Sequence, residues 1–491
     1  MEYALSRSFA MSSKKIILSP KKILIPIALI AALLLVASLF YLRGRAGKGE
    51  EILQPIVREA QMEPMAEIPG TEVGSGWSKN GDPYGAVSEA LGMALQGKKE
   101  REPDIVFAFA SSGSDLKAIQ SQLRKMLGDG IMIFGGTSDS RAVCTERGLV
   151  AASRRAYEQS LSEERRALAL MSVKSKDITF GVGSANFSDY SGVQEASRAA
   201  ILMALQKAGQ SPQQRPRIVL AIPTLGVEEE VIEGIEGVLG KDTPILGGTA
   251  GGPTPGVFGA RGIYDKGVCV AVIYTDLPLG WAFEGGFEVT DSHSGIITRV
   301  SGQAILEIDG RPALDVYNEW LDGKIDRLYK EFQRPDVIRD LLALNPLYRR
   351  YTNHSGHSYF LFSHPWPKDD ALRDRSIMTS TKIKAGERVY LARGTWEVLL
   401  NRIGNLPQKA RVNGRIDPQS RTVFGLALIC GGVMGVIPEA EREKIPYLIN
   451  YATHHGPFIA NFTWGEQGYF PGIGNRHGNL FTSFLLIAAP K

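Results

Sequence analysis

Two Gly-Gly-Thr turns and one Trp-Gly-Glu segment hold the residues of this chain best suited to grip a small molecule. Gly135, Gly136 and Thr137 form the first turn, and Gly247, Gly248 and Thr249 the second; each follows a short apolar run. Glycine lets the backbone approach a ligand, and the N–H groups it leaves open can hold a carboxylate. In open α/β sheets ligands sit beyond the carboxyl ends of strands, which is where these turns are expected. The plainer explanation is a tight turn that needs glycine for its backbone angles. Neither turn is a phosphate loop, because Gly-x-x-x-x-Gly-Lys-Ser/Thr is absent from the sequence. Near the C-terminus Asn461, Thr463, Trp464, Gly465 and Glu466 precede His477 and Asn479. Glu466 could hold an ammonium group there, and Trp464 could stack on a ligand. A capped turn with a core tryptophan is the alternative.

Other chemistry finds less support. Seven histidines occur, among them His354-x-x-His357 and His454-His455. Neither pair has a cysteine or glutamate at metal-ligand spacing, so no metal site is expected. A single axial haem histidine leaves no sequence pattern; His477 is the first choice if haem is bound. Ser138 and Asp139 do not lie in a nucleophile elbow, and Gly-x-Ser-x-Gly does not occur. Acid pairs such as Asp369-Asp370 read as solvated charge. No catalytic residue is therefore expected, although a fold alone does not exclude an enzyme. Cys144, Cys269 and Cys430 are far apart and read as buried small hydrophobes rather than a disulfide framework.

The elements that must position these residues form an α/β pattern. DIVFAFA (104–110) reads as a buried strand, 115–127 as a helix, and 131–134 as a strand entering the first Gly-Gly-Thr. The order returns with RIVLAI (217–222), a helix over 228–239, and a strand at 244–246 entering the second. Strands near 167–173 and 179–184 and a helix near 193–208 lie between. The repeat period is too long for a solenoid and suggests one domain of two similar halves. A weaker third copy runs through strands 424–430 and 457–462 with a helix near 439–453, and ends in strand 480–489. The stretch 345–375 reads as polar and turn-rich, and 388–392 as a strand.

The 491 residues carry a formal net charge of +4, with much of the basic excess flanking an apolar run. Residues 23–42, ILIPIALIAALLLVASLFYL, have no charged side chain, and ~20 apolar residues suffice to cross a bilayer. The expected layout is a basic tail over 1–22, a transmembrane helix over 23–42, a linker over 43–81, and α/β domains over 82–286 and 287–491. A more basic N-terminal flank places the soluble body outside the cytoplasmic membrane. No zinc-finger spacing, RNP pattern or long basic helix appears, so nucleic acid is not an expected partner.

The ordered series of segments resembles the FIST family, in which an N-terminal FIST domain is followed by a C-terminal one. DIVFAFASSGSDLKAIQSQL, IFGGTSDS, RIVLAIPTLGVEEEVIEGIEGVLG, PILGGTAGG and GVCVAVIY are similar to the first. ITRVSGQAILEIDGRPALDVY, AGERVYLARG, FGLALICGGV, NFTWGEQGYF and the terminal His-x-Asn are similar to the second. The resemblance covers about 82–490. It implies a bacterial sensory module that binds a small ligand such as an amino acid, or in some members haem for response to nitric oxide. Two departures stand out: the apolar N-terminal segment, and no kinase, cyclase or chemotaxis output segment, which implies a separate signalling partner.

Overall fold

A computed structural model describes residues 68–98, 102–139, 142–151, 166–332, 336–366 and 374–490. The expected membrane segment, 23–42, and the basic tail lie outside them. Among the described residues no helix is long and apolar enough to cross a membrane.

The chain builds three units of one plan. The first is β1 (Thr71–Ser78), α1 (Pro83–Ala94), β2 (Ile105–Ser111), α2 (Leu116–Leu127), β3 (Met132–Ser138), the hairpin β4 (Val143–Thr145) and β5 (Gly148–Val150), and β6 (Leu168–Ser175). The second is β7 (Ile178–Asn186), α3 (Val193–Lys207), β8 (Ile218–Pro223), α4 (Glu228–Leu239), β9 (Ile245–Gly248), the hairpin β10 (Val257–Gly259) and β11 (Gly262–Tyr264), and β12 (Gly267–Thr275). The third opens with β13 (Leu279–Glu284) and then carries an insert. The insert holds β14 (Glu288–Ser301), β15 (Ala304–Ile308), β16 (Arg311–Pro312), α5 (Ala313–Trp320), α6 (Lys324–Phe332), α7 (Asp336–Leu344), β17 (Leu347–Thr352), β18 (Ser358–Ser363), β19 (Pro365–Trp366), β20 (Ile377–Thr379) and β21 (Arg388–Arg393). The third unit resumes with α8 (Trp396–Asn413), β22 (Arg421–Cys430), α9 (Gly431–Val436), α10 (Glu439–Arg442), α11 (Lys444–Ala452) and β23 (Phe458–Thr463). It closes with the hairpin β24 (Glu466–Phe470) and β25 (Gly474–Gly478), and β26 (Thr482–Ala489).

Each unit makes a four-stranded sheet and completes it with the hairpin of another. The orders are β1-β6-β2-β3-β10-β11, β7-β12-β8-β9-β24-β25 and β13-β26-β22-β23-β4-β5. In each of these three sheets one pair is parallel (β2/β3, β8/β9, β22/β23) and the other pairings are antiparallel. The hairpins thus pass round a ring: second unit to first sheet, third to second, first to third.

Phe107, Phe109, Leu220, Ile222, Leu426 and Leu428 send side chains from all three sheets into one shared core. The helices cover the outer faces. The first strand of each unit explains how closely its helix lies. A Cβ on Gly76 would stand 2.1 Å from the Ala90 carbonyl oxygen, one on Gly183 2.0 Å from that of Ala200, and one on Gly280 2.0 Å from that of Ala410. A helix backbone rests directly on these strands, and only glycine permits it. Gly183→Val is therefore expected to cost at least ~1–3 kcal/mol through overpacking. Gly92, on the open side of α1 with nothing within 4 Å of a Cβ, is expected to gain ~0.5–1 kcal/mol as alanine. Urea denaturation of the two variants should move the midpoint in opposite directions.

Three expectations are corrected. The linker expected over 43–81 includes β1, which pairs along its whole length with β6; its glycines serve helix packing rather than flexibility. The stretch 345–375 holds a hairpin, β17 against β18 in six-residue register. The helix expected over 439–453 is two, α10 and α11. The weakly marked third copy is as complete as the other two.

Candidate functional site

The carboxyl ends of the parallel strands meet where the three units touch. The Asp139 N–H donates to the Phe462 carbonyl at 2.7 Å, Thr249 N–H to Gly465 at 2.8 Å, and Gly251 N–H to Thr137 at 3.2 Å. The Phe462 N–H donates to Ser138 Oγ at 3.0 Å. These bonds join first to third, second to third, and first to second unit, so all three contribute backbone to one junction.

Register shows which residues occupy equivalent places. Gly136 lies opposite Val257, Gly248 opposite Glu466, and Asn461 opposite Val143. On the other side Gly136 faces Phe109 and Asn461 faces Leu428, both in the shared core. Two units thus place glycine and valine where the third places asparagine and glutamate. Asn461 is fully buried, and neither its amide nitrogen nor its amide oxygen has a protein partner. A buried polar group left so costs ~1–3 kcal/mol.

Glu466 is equally enclosed. Its carboxyl accepts from the Thr463 hydroxyl at 2.7 Å and the Phe481 N–H at 3.1 Å. Burial pushes it up to about 8, opposed by those two bonds and by the charges of His477 and Arg402. At neutral pH it therefore carries a proton and offers a hydrogen bond, not a counter-charge for an ammonium group. Arg402, from α8, reaches the Leu480 carbonyl and Thr482 Oγ1, both at 3.0 Å, and burial lowers it to about 10.

A second group lies on the helix side of the second sheet. His477 pairs with Gln467 across the β24–β25 hairpin, and its Nδ1 stands 3.2 Å from Glu229 Oε1. Glu229 also accepts from the Lys382 N–H at 2.9 Å, and Lys382 Nζ is 2.6 Å from Glu230. Glu228 accepts from Thr249 Oγ1 at 2.9 Å and from the Gly226 N–H. Thr249 in turn takes a hydrogen bond from Gln467 Nε2 at 3.3 Å. Burial works against charge on His477, but Glu228 and Glu229 outweigh it, with Glu466 adding a smaller share only where it is ionised, and the ring is raised to about 9. Burial likewise opposes ionisation of Glu229, yet the His477 bond and charge and the Lys382 N–H hold it down at about 2. His477 and Glu229 thus form an ion pair at neutral pH.

The residues singled out from sequence separate between these two faces. Gly136, Gly248 and Glu466 belong to the junction. Gly247, Thr249 and His477 belong to the outer group, where a Cβ on Gly247 would stand 2.3 Å from Gln467 Oε1. Gly135, at φ +148°, lies against the Ala108 carbonyl, and Thr137 Oγ1 accepts from the Gly256 N–H; both hold the strands together. Gly465, at φ +158°, faces His477 Nε2, which a Cβ would approach to 2.5 Å. Trp464 is half-buried. Asn479 accepts from the His364 N–H at 3.2 Å and so ties the insert to the last hairpin. His354 and His357 are exposed. His477 does not suit an axial haem role, since one ring nitrogen is held by Glu229 and the other lies against the Gly465 backbone. Glu229 and Gln467 escaped the sequence reading because their partners lie 248 and 218 residues away, and Glu228 because nothing local ties it to Thr249; no spacing test spans such distances.

Residues 104–311 match the family described as the FIST N domain. No curated protein matches the chain. Among solved structures, a cyanuric acid hydrolase from A. caulinodans is 9% identical at a TM-score of 0.31, over 86% of this chain and 100% of that one. A second cyanuric acid hydrolase structure, described as an evolutionary innovation by structural concatenation, is 9% identical at 0.30 with the same coverage. PurLQS from Thermotoga maritima is 10% identical at 0.20, over 86% of this chain and 74% of that one.

Proposed function

We propose that the chain is a sensory module that binds a small polar metabolite, of amino-acid type, at the junction of its three units. Asn461 carries this reading. It is a fully buried amide with no protein partner, at a position where the other two units have glycine. Such an amide offers one donor and one acceptor side by side, and Glu466 adds a proton donor. A ligand with a matching acceptor and donor, such as the carboxyl end of an amino acid, would satisfy both. The FIST N match over 104–311 agrees with a sensory role. The last segments, including NFTWGEQGYF, are read as the FIST C-terminal counterpart. The uncharged run 23–42 would anchor the module in a bacterial cytoplasmic membrane with its body outside. Binding rather than turnover would then be the output, passed to a separate signalling protein.

The test is a thermal-shift and calorimetric screen of an amino-acid panel on the purified full chain, with an absorbance spectrum of the same sample. A ligand at a hundred times its Kd is expected to stabilise the fold by ~2.7 kcal/mol. A chain that no metabolite shifts would sink the reading, and a Soret band would replace it with a haem sensor.

A further inference from the structure

The outer face of the second sheet carries a set of residues that the small-ligand reading does not use. We infer that Glu228, Glu229 and His477 form a binding site for one divalent transition-metal ion, Zn²⁺ in the first instance, beside the unpartnered amide oxygen of Gln467. Glu228, Glu229 and His477 each offer a ligand atom, and these atoms all lie within 4.8 Å of one another. The His477 Nδ1 to Glu229 Oε1 distance is 3.2 Å. Two ligands each ~2.1 Å from one ion stand about 3.0 Å apart at a right angle and about 3.4 Å at a tetrahedral one. The pair already has the bite an ion requires, and an ion would take the place of the proton between them.

A second observation points the same way. Gln467 is 1% exposed, and its amide oxygen has no partner. The network fixes which end of the amide this is. The Thr249 hydroxyl gives its one proton to Glu228, so it must accept from Gln467 nitrogen and cannot donate to the oxygen. Gln467 sits beside His477 in the hairpin register and reaches Glu228 through Thr249. A buried, unpartnered oxygen thus stands on the same hairpin face as His477, where it would hold the water that completes a tetrahedral set on the three ligands. Two carboxylates and a nitrogen suit a borderline ion better than Ca²⁺ or Mg²⁺, which favour oxygen alone. The ligands come from α4 and the last hairpin, and Lys382 of the insert touches both Glu229 and Glu230. Bound metal would fasten α4 to the last hairpin, with the insert held beside them through Lys382.

The probe is Co²⁺, followed by Zn²⁺, added to the full chain after chelator treatment. Expected are visible d–d bands of a four-coordinate nitrogen/oxygen site, displaced by one equivalent of Zn²⁺, with the melting temperature raised. Glu229→Gln keeps the volume and the Lys382 contact and is expected to weaken Zn²⁺ at least 100-fold, as is His477→Ala. Wild-type protein with no Co²⁺ band would overturn the inference without recourse to any variant. So would a band that persists unchanged in Glu229→Gln with its circular dichroism intact. Neither result bears on Asn461, so the ligand reading stands or falls separately.

Discussion

Asn461→Leu is expected to make the ligand-free chain more stable and deaf to its ligand at once. The substitution removes two buried polar atoms that have no protein partner and replaces them with a side chain of similar size facing Leu428 and Val143. Freedom from that desolvation cost is worth ~1–3 kcal/mol. The same change removes the donor and acceptor that the ligand would use, so the thermal shift seen in wild type should vanish. Urea denaturation with and without ligand reads both effects. An ordinary structural asparagine would behave oppositely: its loss would lower stability, which would show that a buried water or another group already satisfies the amide. Few positions in a protein gain stability on substitution, so the sign alone separates the two cases.

The second large effect is pH dependence at Glu466. Its folded value, about 8, is raised above the ordinary 4.5, so the folded state holds this proton more tightly than the unfolded one. Stability is complete below pH 4.5 and falls as pH rises toward 8, by an amount on the order of 3–5 kcal/mol at ~1.4 kcal/mol per unit. His477 acts in the same direction but later. Raised from 6.5 to about 9, it contributes stability that is full below pH 6.5 and lost as pH climbs to 9. Glu229, lowered to about 2, contributes above pH 4.5 and loses its part as pH falls toward 2. Stability should therefore peak on the acid side of neutrality. Glu466→Gln keeps the shape and deletes the titration, so its stability should stay level between pH 4.5 and 6.5 and fall only above that. Denaturation midpoints for wild type and variant that run parallel from pH 4 to 9 would refute the assignment.

How much of this was legible in the sequence depends on the range of the interaction. Runs such as RIVLAI and the helix over 228–239 carry their own periodicity, and their bounds differ little from the observed β8 and α4. The recurrence of strand, helix, strand and Gly-Gly-Thr showed two units, and PFIANF hinted at the third. β1 was invisible for a physical reason. Thr71–Ser78 has no apolar alternation, because glycines take the places where α1 presses on the strand. The site divided in the same manner. Glu466 and His477 stand out as polar residues among apolar strands, yet nothing local says that one turns to Thr463 and Phe481 of its own unit and the other to α4 of another. That separation follows from the β24–β25 hairpin joining the sheet of a different unit, an event between residues more than two hundred positions apart.

That exchange of hairpins also sets the order in which the molecule can be made. While the chain emerges from the ribosome, β9 is complete at residue 248, but the strand that covers its free edge begins at residue 466. At ~5–20 residues per second the wait is on the order of 10–40 s. Through that interval β9 offers open N–H and carbonyl groups, and β4–β5 has nothing to join until β23 appears at residue 458. An exposed edge of this kind is a template for pairing with a second chain. A ribosome-stalled fragment ending near residue 440 should be far more prone to self-association than the finished ring.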